Sequence, residues 1–375
     1  MPNRKRRILV TGVARWWGAL LVQRLVEDPR VEEVVGIDTE EPHHDLGDAD
    51  FLKLDIRHSL VGKLVRTVGV DTVVHTQTTI DSFDRDARRA HDINVIGGIN
   101  LLAGLAGDDS PVRRVVLKSS AHVYGSRHDL PGHLREDHAL DTSSPHSFVR
   151  DIVEAETNLF EFSIRQPEVD TVALRFANSL SAEEPAPLAR YLDLPLVPTV
   201  AGYDPVLQLV HRDDCVEALA RATLEGPRGA YNIAGGNPRP LSALLDGAGK
   251  VHAPVLPPAG AFLLSSLLSR LGVASLSPQL FDLLRWGRTL DTSRARRHLG
   301  FRASRDTAAA LDDFIQQRRV LQFLPSGHRY MYERELEEYI HTRRTKRRRA
   351  EAARLTLAAA VEPDAPSGRP PRRRR

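Results

Sequence analysis

Cysteine is almost absent from this chain. Of its 375 residues only Cys215 is a cysteine, which excludes an intramolecular disulfide and suits a reducing compartment such as the cytosol. Cys215 lies in a segment that predicts a buried helix, so a small core side chain is a better interpretation than a nucleophile.

Long apolar segments are also lacking. The best candidate, residues 259–271, is interrupted by serines and contains Arg270, so it falls short of the roughly 20 residues that span a bilayer. The basic start, residues 1–7, precedes only three apolar residues, too few for a signal peptide. With 41% hydrophobic and 27% charged residues, the composition predicts a soluble, cytoplasmic protein.

Metal-binding patterns are lacking as well. The histidines, among them His43, His44, His133 and His138, lie in predicted loops without cysteine partners or a repeated ligand spacing. The sequence therefore predicts no metal site.

The positive charge is concentrated at one end of the chain. The net charge is +3, but residues 341–375 carry 12 Lys or Arg against three acidic residues, which leaves −6 for the first 340 residues. The clusters Arg343–Arg349 and Arg372–Arg375 fit either a contact with an anionic membrane or another partner, or a solvated, solubilising tail. No aromatic residues interleave with these arginines, so specific nucleic-acid binding is not expected.

The most informative stretch is residues 7–18, which reads RILVTGVARWWG. Three apolar residues have the length of a central parallel strand, and apolar positions recur at helical spacing from about residue 16 onwards. A strand, a glycine turn and a helix in this order place helix N–H groups against a pyrophosphate. The residues expected to bind the cofactor here are Thr11, Gly12, Arg15, Trp16, Trp17 and Gly18.

Asp38 bears on which dinucleotide binds. It ends the next predicted strand, twenty residues after Gly18, where a carboxylate accepts the ribose hydroxyls of NAD and repels the extra phosphate of NADP. Arg15 stands where a middle glycine is expected, and its side chain could cap the phosphates or pair with the extra phosphate of NADP. Asp38 therefore favours NAD over NADP. An ordinary strand–helix–strand unit without a ligand is the alternative.

Strands and helices alternate through about residue 180, a pattern typical of a doubly wound parallel sheet. Asp55 ends the third strand and, with Ile56, is expected at the adenine edge of the cofactor, although a helix N-cap is an equal alternative for the acid. Thr76 begins the turn after the strand at 70–75, and its backbone is expected to pass close to the cofactor.

The expected architecture is α/β, with three parts. Residues 1–180 are predicted to form an NAD-binding Rossmann domain, with sheet elements returning near 207–236. Residues 181–330 supply a smaller C-terminal substrate lobe and the closing helices, and residues 331–375 form a basic helical or disordered tail.

Several separated motifs resemble one family, the extended short-chain dehydrogenases/reductases of the NAD-dependent epimerase/dehydratase group, which includes UDP-glucose 4-epimerase. The arginine at the middle glycine position resembles an actinobacterial branch. The matching stretches are TGVARWWG (11–18), VDTVVH (70–75), NVIGGINLL (94–102), KSSAHVYG (118–125), LRFANSL (174–180), LQLVHRDDCVEALARA (207–222), GAYNIAGG (229–236) and LDTSRARRHLGF (290–301).

The resemblance implies a function and a set of site residues. Members of the family bind NAD in a Rossmann domain, act on a substrate that is commonly a nucleotide sugar, and typically form homodimers through the helices placed here at about 86–107 and 147–165. By match, Ser120 is the catalytic serine, Asn94 contacts the cofactor and Asn178 helps to hold the substrate.

The family's Tyr-x-x-x-Lys motif is degenerate in this chain. The corresponding stretch is HSFVR, so His146 and Arg150 replace the catalytic tyrosine and lysine. The i,i+4 spacing lets both side chains face the cofactor. A histidine has a reference pKa of about 6.5 and can accept a proton without the strong shift that a tyrosine needs. Arg150 cannot exchange protons, but it can bind the ribose hydroxyls and supply the positive charge.

Two functions stay open from the sequence. One is an oxidoreductase that acts by reversible hydride transfer with an atypical site of Ser120, His146 and Arg150. The other is a non-catalytic NAD-binding sensor or scaffold whose basic tail contacts a partner or a membrane surface.

Overall fold

The computed structural model describes residues 5–78, 87–255 and 278–323 of the chain. The apolar segment 259–271 and the predicted basic tail 331–375 lie outside these residues. The described residues up to Leu321 belong to one compact unit. None of the described helices is long and apolar enough to cross a membrane.

The strands within the described residues follow one another along the chain as short segments. They are β1 (Arg6–Thr11), β2 (Val31–Asp38), β3 (Asp50–Lys53), β4 (Thr72–His75), β5 (Arg114–Ser120), β6 (Asp170–Phe176), β7 (Asn178–Ser179), β8 (Leu196–Val200), β9 (Val206–Leu207), β10 (Leu209–Val210), β11 (Gly229–Ile233), β12 (Arg239–Pro240) and β13 (Val251–Val255).

Helices separate most of these strands. They are α1 (Trp16–Val26), α2 (Leu60–Val68), α3 (Ala87–His91), a π-helix (Asp92–Gly97), α4 (Gly98–Leu105), α5 (Ser147–Arg165), α6 (Pro187–Asp193), α7 (Arg212–Leu224), α8 (Leu241–Gly247), α9 (Pro278–Trp286), α10 (Ser293–His298) and α11 (Thr307–Phe323), and a 3₁₀ turn spans Ala121–Tyr124.

The central feature is a seven-stranded sheet with the order β11-β6-β5-β4-β1-β2-β3. Every pairing in it is parallel. The order reverses between β1 and β4, which is the switch point of a doubly wound fold. The predicted Rossmann architecture is therefore confirmed.

Alternate residues of each central strand enter two different cores. On β1, Ile8 and Val10 pack with α1 and α7, whereas Leu9 packs with α2 and α4 on the other face. This division follows from the two-residue period of a strand, and it explains why β1 is apolar without alternation. A third cluster, drawn from α6, α8, α9 and α11, forms a separate core beyond the main sheet.

The helix predicted over 86–107 is interrupted in its middle. The described part consists of α3, the π-helix and α4. A side chain at Gly97 would lie 2.6 Å from Cδ1 of Ile56, so the close packing expected at this glycine is present. Gly98 has nothing within 4 Å of the same position, so packing does not account for the second glycine.

A buried ion pair joins α5 to the sheet. The guanidinium of Arg175 on β6 donates Nε and Nη2 to the carboxylate of Glu156, with the Nη2–Oε2 distance 2.8 Å. The Ser119 hydroxyl donates to the same carboxylate. Arg175 also donates Nη1 to the Tyr124 hydroxyl at 2.7 Å, and Tyr124 donates to Oδ1 of Asn232 on β11 at 2.8 Å. One network therefore connects β5, β6, β11 and α5.

Replacing Glu156 with alanine should lower the free energy of unfolding by about 3–5 kcal/mol, because the buried Arg175 guanidinium would lose its carboxylate. Guanidinium chloride denaturation measures the change. Glu161→Ala on the same helix is the matched control, since its pair with Arg165 is exposed and should contribute little. Equal losses in the two variants would contradict this account.

Candidate functional site

A cleft of about 390 Å³ opens at the carboxyl ends of β1, β2 and β4. This is the edge where doubly wound sheets bind ligands, because the strand order reverses there. Several of the predicted cofactor residues line it together: Gly12, Arg15, Trp16, Trp17, Asp38 and Thr76.

The glycine turn is held close to its neighbours. Gly12 has φ +82°, a conformation that favours glycine, and a side chain there would lie 2.8 Å from the backbone nitrogen of Gln77. A side chain at Gly18 would lie 2.4 Å from the carbonyl oxygen of Gly12. These two glycines let α1 and the turn approach each other and leave the backbone open to the cleft.

Asp38 both holds the turn and lines the cleft. Its Oδ2 accepts a hydrogen bond from the backbone of Ala14 at 2.9 Å, and its Oδ1 accepts one from the backbone of Thr39 at 2.7 Å. The residue is buried, yet it belongs to the cleft lining. A carboxylate in this position suits the ribose hydroxyls expected from the sequence.

An acidic side chain occupies the start of α1. The backbone N–H of Trp16 donates to Oε1 of Glu184 at 3.2 Å, and Nη1 of Arg15 lies 3.7 Å from Oε2 of the same carboxylate. No side-chain cap comes from the residue that precedes the helix. The Glu184 carboxylate thus stands in for an anion at the position where a dinucleotide diphosphate is expected.

The segment that carries Glu184 is held at a second point. Oε2 of Glu183 lies 3.3 Å from Nε2 of His44, and its Oε1 lies 3.4 Å from Nη1 of Arg212. The hydrogen bond to Glu183 raises the pKa of His44, and the same bond lowers the pKa of Glu183. We call residues 181–187 the acidic strap. They lie along the cleft, and both of their carboxylates, Glu183 and Glu184, are held by contacts with other segments.

A smaller pocket adjoins the cleft and shares Trp17 and Lys118 with it. Ser120 and Asn178, the predicted catalytic serine and substrate residue, both line this pocket. The Ser120 hydroxyl lies 2.8 Å from Nδ1 of His122. Burial lowers the pKa of His122 well below its usual value, so its imidazole is neutral.

Sequence reasoning missed His122 and Lys118. Both lie in the KSSAHVYG motif, where they stand two residues to either side of Ser120. The ammonium of Lys118 lies 4.7 Å from the ring centroid of Trp17, and burial lowers the pKa of Lys118 to about 8. The signal available in the sequence was a lysine inside an otherwise apolar and hydroxyl-rich strand end.

His146 and Arg150 lie away from the cleft lining. Nε2 of His146 is 2.8 Å from Oδ2 of Asp282 on α9, in a neighbouring surface depression. Arg150 is exposed and donates Nη1 to the backbone carbonyl of Ser144 at 2.8 Å. The structure does not bring these two side chains into the lining that contains Ser120, and their catalytic role stays a prediction.

Two other predicted residues have structural partners. The Asp55 carboxylate accepts three hydrogen bonds from the Arg57 guanidinium, and these lower the pKa of Asp55. It does not cap the next helix, because α2 begins at Leu60 after Ser59. Ile56 packs beneath Gly97. Neither Asp55 nor Ile56 belongs to the cleft lining.

The remaining predicted residues support the turn from behind. Thr11 Oγ1 lies 2.7 Å from Nδ1 of His75, and the Thr76 hydroxyl donates to the Thr11 carbonyl at 2.7 Å. Asn94 is buried in the π-helix. Thr11, Gly18 and Asn94 do not line the cleft, so direct contact with the cofactor stays a prediction for them.

Sequence comparison finds a family and a relative of nearly full length. A family model described as the NAD dependent epimerase/dehydratase family matches residues 8–234. An uncharacterised protein of Mycobacterium tuberculosis is 34% identical over 322 residues, which cover 84% of this chain and 85% of that protein.

Solved structures share the fold at lower identity. The UDP-glucose 4-epimerase of Thermotoga maritima, solved with UDP-glucose, superposes with a TM-score of 0.64 at 20% identity and covers 84% of this chain and 99% of its own. The dTDP-glucose 4,6-dehydratase DesIV of Streptomyces venezuelae, solved with NAD bound, has a TM-score of 0.64 at 24% identity and covers 84% of this chain and 97% of its own.

Glu184→Gln should tighten NAD binding about tenfold, because a diphosphate would no longer displace a charged carboxylate from the start of α1. Isothermal titration calorimetry with NAD measures the dissociation constant. Glu168→Gln, at an exposed position outside the cleft, changes the net charge equally and serves as the control. Unchanged or weaker binding in Glu184→Gln would contradict the stand-in role.

Proposed function

The chain belongs to the NAD-dependent epimerase/dehydratase family, and on that premise we propose that it is an NAD-binding oxidoreductase. The observation that carries the proposal is the geometry of one cleft. An anion position at the start of α1 and the carboxylate of Asp38 line it together, at the switch point of the sheet. Diphosphate and ribose hydroxyls are the two groups of a dinucleotide that need these partners.

NAD is the dinucleotide that this lining favours. Asp38 is buried, and both of its oxygens already accept backbone hydrogen bonds, so the carboxylate is held in place facing the cleft. A 2′-phosphate would meet this negative charge at close range. Arg15 pairs with Glu184, which directs its guanidinium to the diphosphate position instead of the ribose.

The proposed substrate is a nucleotide sugar. The small pocket lined by Ser120 and Asn178 adjoins the cofactor cleft, so a sugar there would lie beside the reacting end of the cofactor. The Thermotoga maritima epimerase, which shares the fold, was solved with UDP-glucose, and this supports the substrate class.

The reaction removes a hydride from a sugar carbon and a proton from its hydroxyl, and then returns them. Bound NAD would supply the hydride acceptor and donor for this exchange. The chain must handle the proton. We propose that Ser120 hydrogen-bonds the hydroxyl and that His146 accepts its proton, with Arg150 as the neighbouring cation on α5. His122 offers a second route, since its neutral imidazole lies 2.8 Å from the Ser120 hydroxyl.

A non-catalytic NAD-binding protein is the second candidate. It is favoured by the placement of Arg150, which is exposed and bonded to Ser144, and by the pairing of His146 with Asp282. Tyr124 offers no replacement for the missing tyrosine, because its hydroxyl is buried between Arg175 and Asn232 and burial raises its pKa to about 12. Under this function the bound cofactor would be read by a partner.

A homodimer is the proposed assembly, formed through the helical segment at about 86–107, which includes the π-helix and α4, and through α5. Ile96 and Ile99 expose 39% and 40% of their surface, and Ile164 on α5 exposes 79%. Exposed apolar side chains on two neighbouring helices support an interface. Contact between the basic tail and an anionic membrane or a partner is also proposed, on residues outside the described ranges.

Asp38→Ala should weaken NAD binding by roughly ten- to a hundredfold, because two charge-assisted hydrogen bonds to the ribose are lost. The preference for NAD over NADP should shrink in the same variant. Calorimetry with each dinucleotide measures both effects, and Glu41→Ala at an exposed neighbouring position is the control. An unaltered NAD affinity would count against the proposed ribose contact.

Substitutions in the small pocket separate the catalytic routes. If the chain is an enzyme, Ser120→Ala should lower turnover of its nucleotide sugar about 10²-fold or more while NAD affinity is retained. His146→Ala and His122→Ala are assayed in parallel. The variant whose turnover falls as much as that of Ser120→Ala identifies the proton acceptor. UDP- and dTDP-sugars are then screened, and a sugar that changes the absorbance of the bound cofactor would exclude the non-catalytic function. The absence of any turnover, with NAD bound, would establish it.

A further inference from the structure

Lys118 lies at the boundary between the cofactor cleft and the small pocket. It is the only charged residue within the described ranges that lines both. It stands two residues before Ser120 on β5, and the two-residue period of a strand places their side chains on the same face of the sheet. The side chain that precedes them on this face, Val116, packs in the core with α1.

The residues of the cleft show which end Lys118 occupies. Asp38 lies at the adenosine ribose end, and the anion position at Arg15 and Trp16 lies at the diphosphate. The small pocket with Ser120 adjoins the remaining end. Lys118 lines both the cleft and this pocket, so it lies between the anion position and the end where the nicotinamide of a bound dinucleotide would lie.

The ammonium of Lys118 has an aromatic ring as its close partner. The residue is 4% exposed, and its Nζ lies 4.7 Å from the centroid of Trp17. Within the part of the chain that the structure describes, no carboxylate forms an ion pair with it. The ring face of Trp17 replaces only part of the hydration that a buried ammonium loses. This buried cation is therefore placed to act on a ligand in the cleft.

We propose that Lys118 supplies the positive charge at the nicotinamide end of the cofactor and thereby makes the chain bind NADH more tightly than NAD⁺. The inference rests on the proposed binding of NAD in this cleft. The oxidised nicotinamide ring carries a positive charge and the reduced ring carries none, so a fixed cation beside it repels only the oxidised form. Arg150, which stands at the family's lysine position, does not line the cleft and donates to the carbonyl of Ser144, so Lys118 is the better placed cation.

The test compares the dissociation constants of the two redox forms by calorimetry. Lys118→Met should lower the ratio of the NAD⁺ to the NADH dissociation constant about tenfold or more, because methionine keeps the length of the side chain and removes its charge. Lys118→Arg should keep most of the ratio. Lys63→Met, at an exposed position on α2, is the control for the loss of one lysine charge.

A ratio that stays unchanged in Lys118→Met would overturn the inference, even if both affinities fall together. Wild-type protein that binds neither form would instead overturn the proposed function, and the inference with it. The two failures are therefore distinguishable.

A pH series on the wild-type protein tests the same inference without a substitution. Burial lowers the pKa of Lys118 to about 8, so the preference for NADH should be present below pH 8 and decrease as the pH rises through that value. The other ionisable groups that interact with Lys118 are Glu184, Arg15, His75 and the thiol of Cys215. Burial raises the pKa of Cys215 well above its usual value and lowers the pKa of His75 to about 4, so neither of these two changes its charge near pH 8. Lys118→Arg should keep the preference over the same range, and a wild-type ratio that does not change with pH would contradict the inference.

Discussion

The buried pair of Glu156 and Arg175 determines how the carboxyl end of β5 is built. The Glu156 carboxylate is inaccessible to solvent and also accepts a hydrogen bond from the hydroxyl of Ser119, the residue next to Ser120. Because a buried charge needs its partner and its hydrogen bonds, the end of β5 and the helix α5 cannot move independently. The same pair aligns the Tyr124 hydroxyl with β11, which removes that phenol from any chemistry. The position of Ser120 in the pocket thus depends on a contact made one residue away.

Charge in the cleft is balanced by the protein itself. The lining contains four cationic and four acidic side chains, namely Arg15, Arg89, Lys118, Arg190, Asp38, Glu40, Glu183 and Glu184. Two of the four acids belong to the acidic strap, and one of them occupies the anion position at the start of α1. A dinucleotide would bring its own negative diphosphate, so binding exchanges one anion for another. The strap would set the cost of that exchange, whereas Asp38 and Lys118 are the residues proposed to act on the two ends of the ligand.

The sequence predicted several of the residues that line the cleft together. Gly12, Arg15 and Asp38 line one cleft, as expected, because their roles follow from a local order of strand, turn and helix. The family prediction is confirmed as well, since it rests on many motifs in sequence order. The prediction for the degenerate motif had less support. An i,i+4 spacing places His146 and Arg150 on one side of a helix, but it does not specify which surface that side meets.

What the sequence determined by itself is therefore the fold class, the alternation of strands and helices, and the residues that follow each strand end. These follow from short-range patterns of apolar period and glycine turns, which act within one strand–helix–strand unit. Only the tertiary structure decided that Glu184 caps a helix 168 residues before it, that His122 pairs with Ser120 and that Lys118 is the buried cation of the site. The physical reason is that burial and pairing of a charge depend on the side chains that surround it, and the cap of α1 and the Trp17 face come from other segments of the chain.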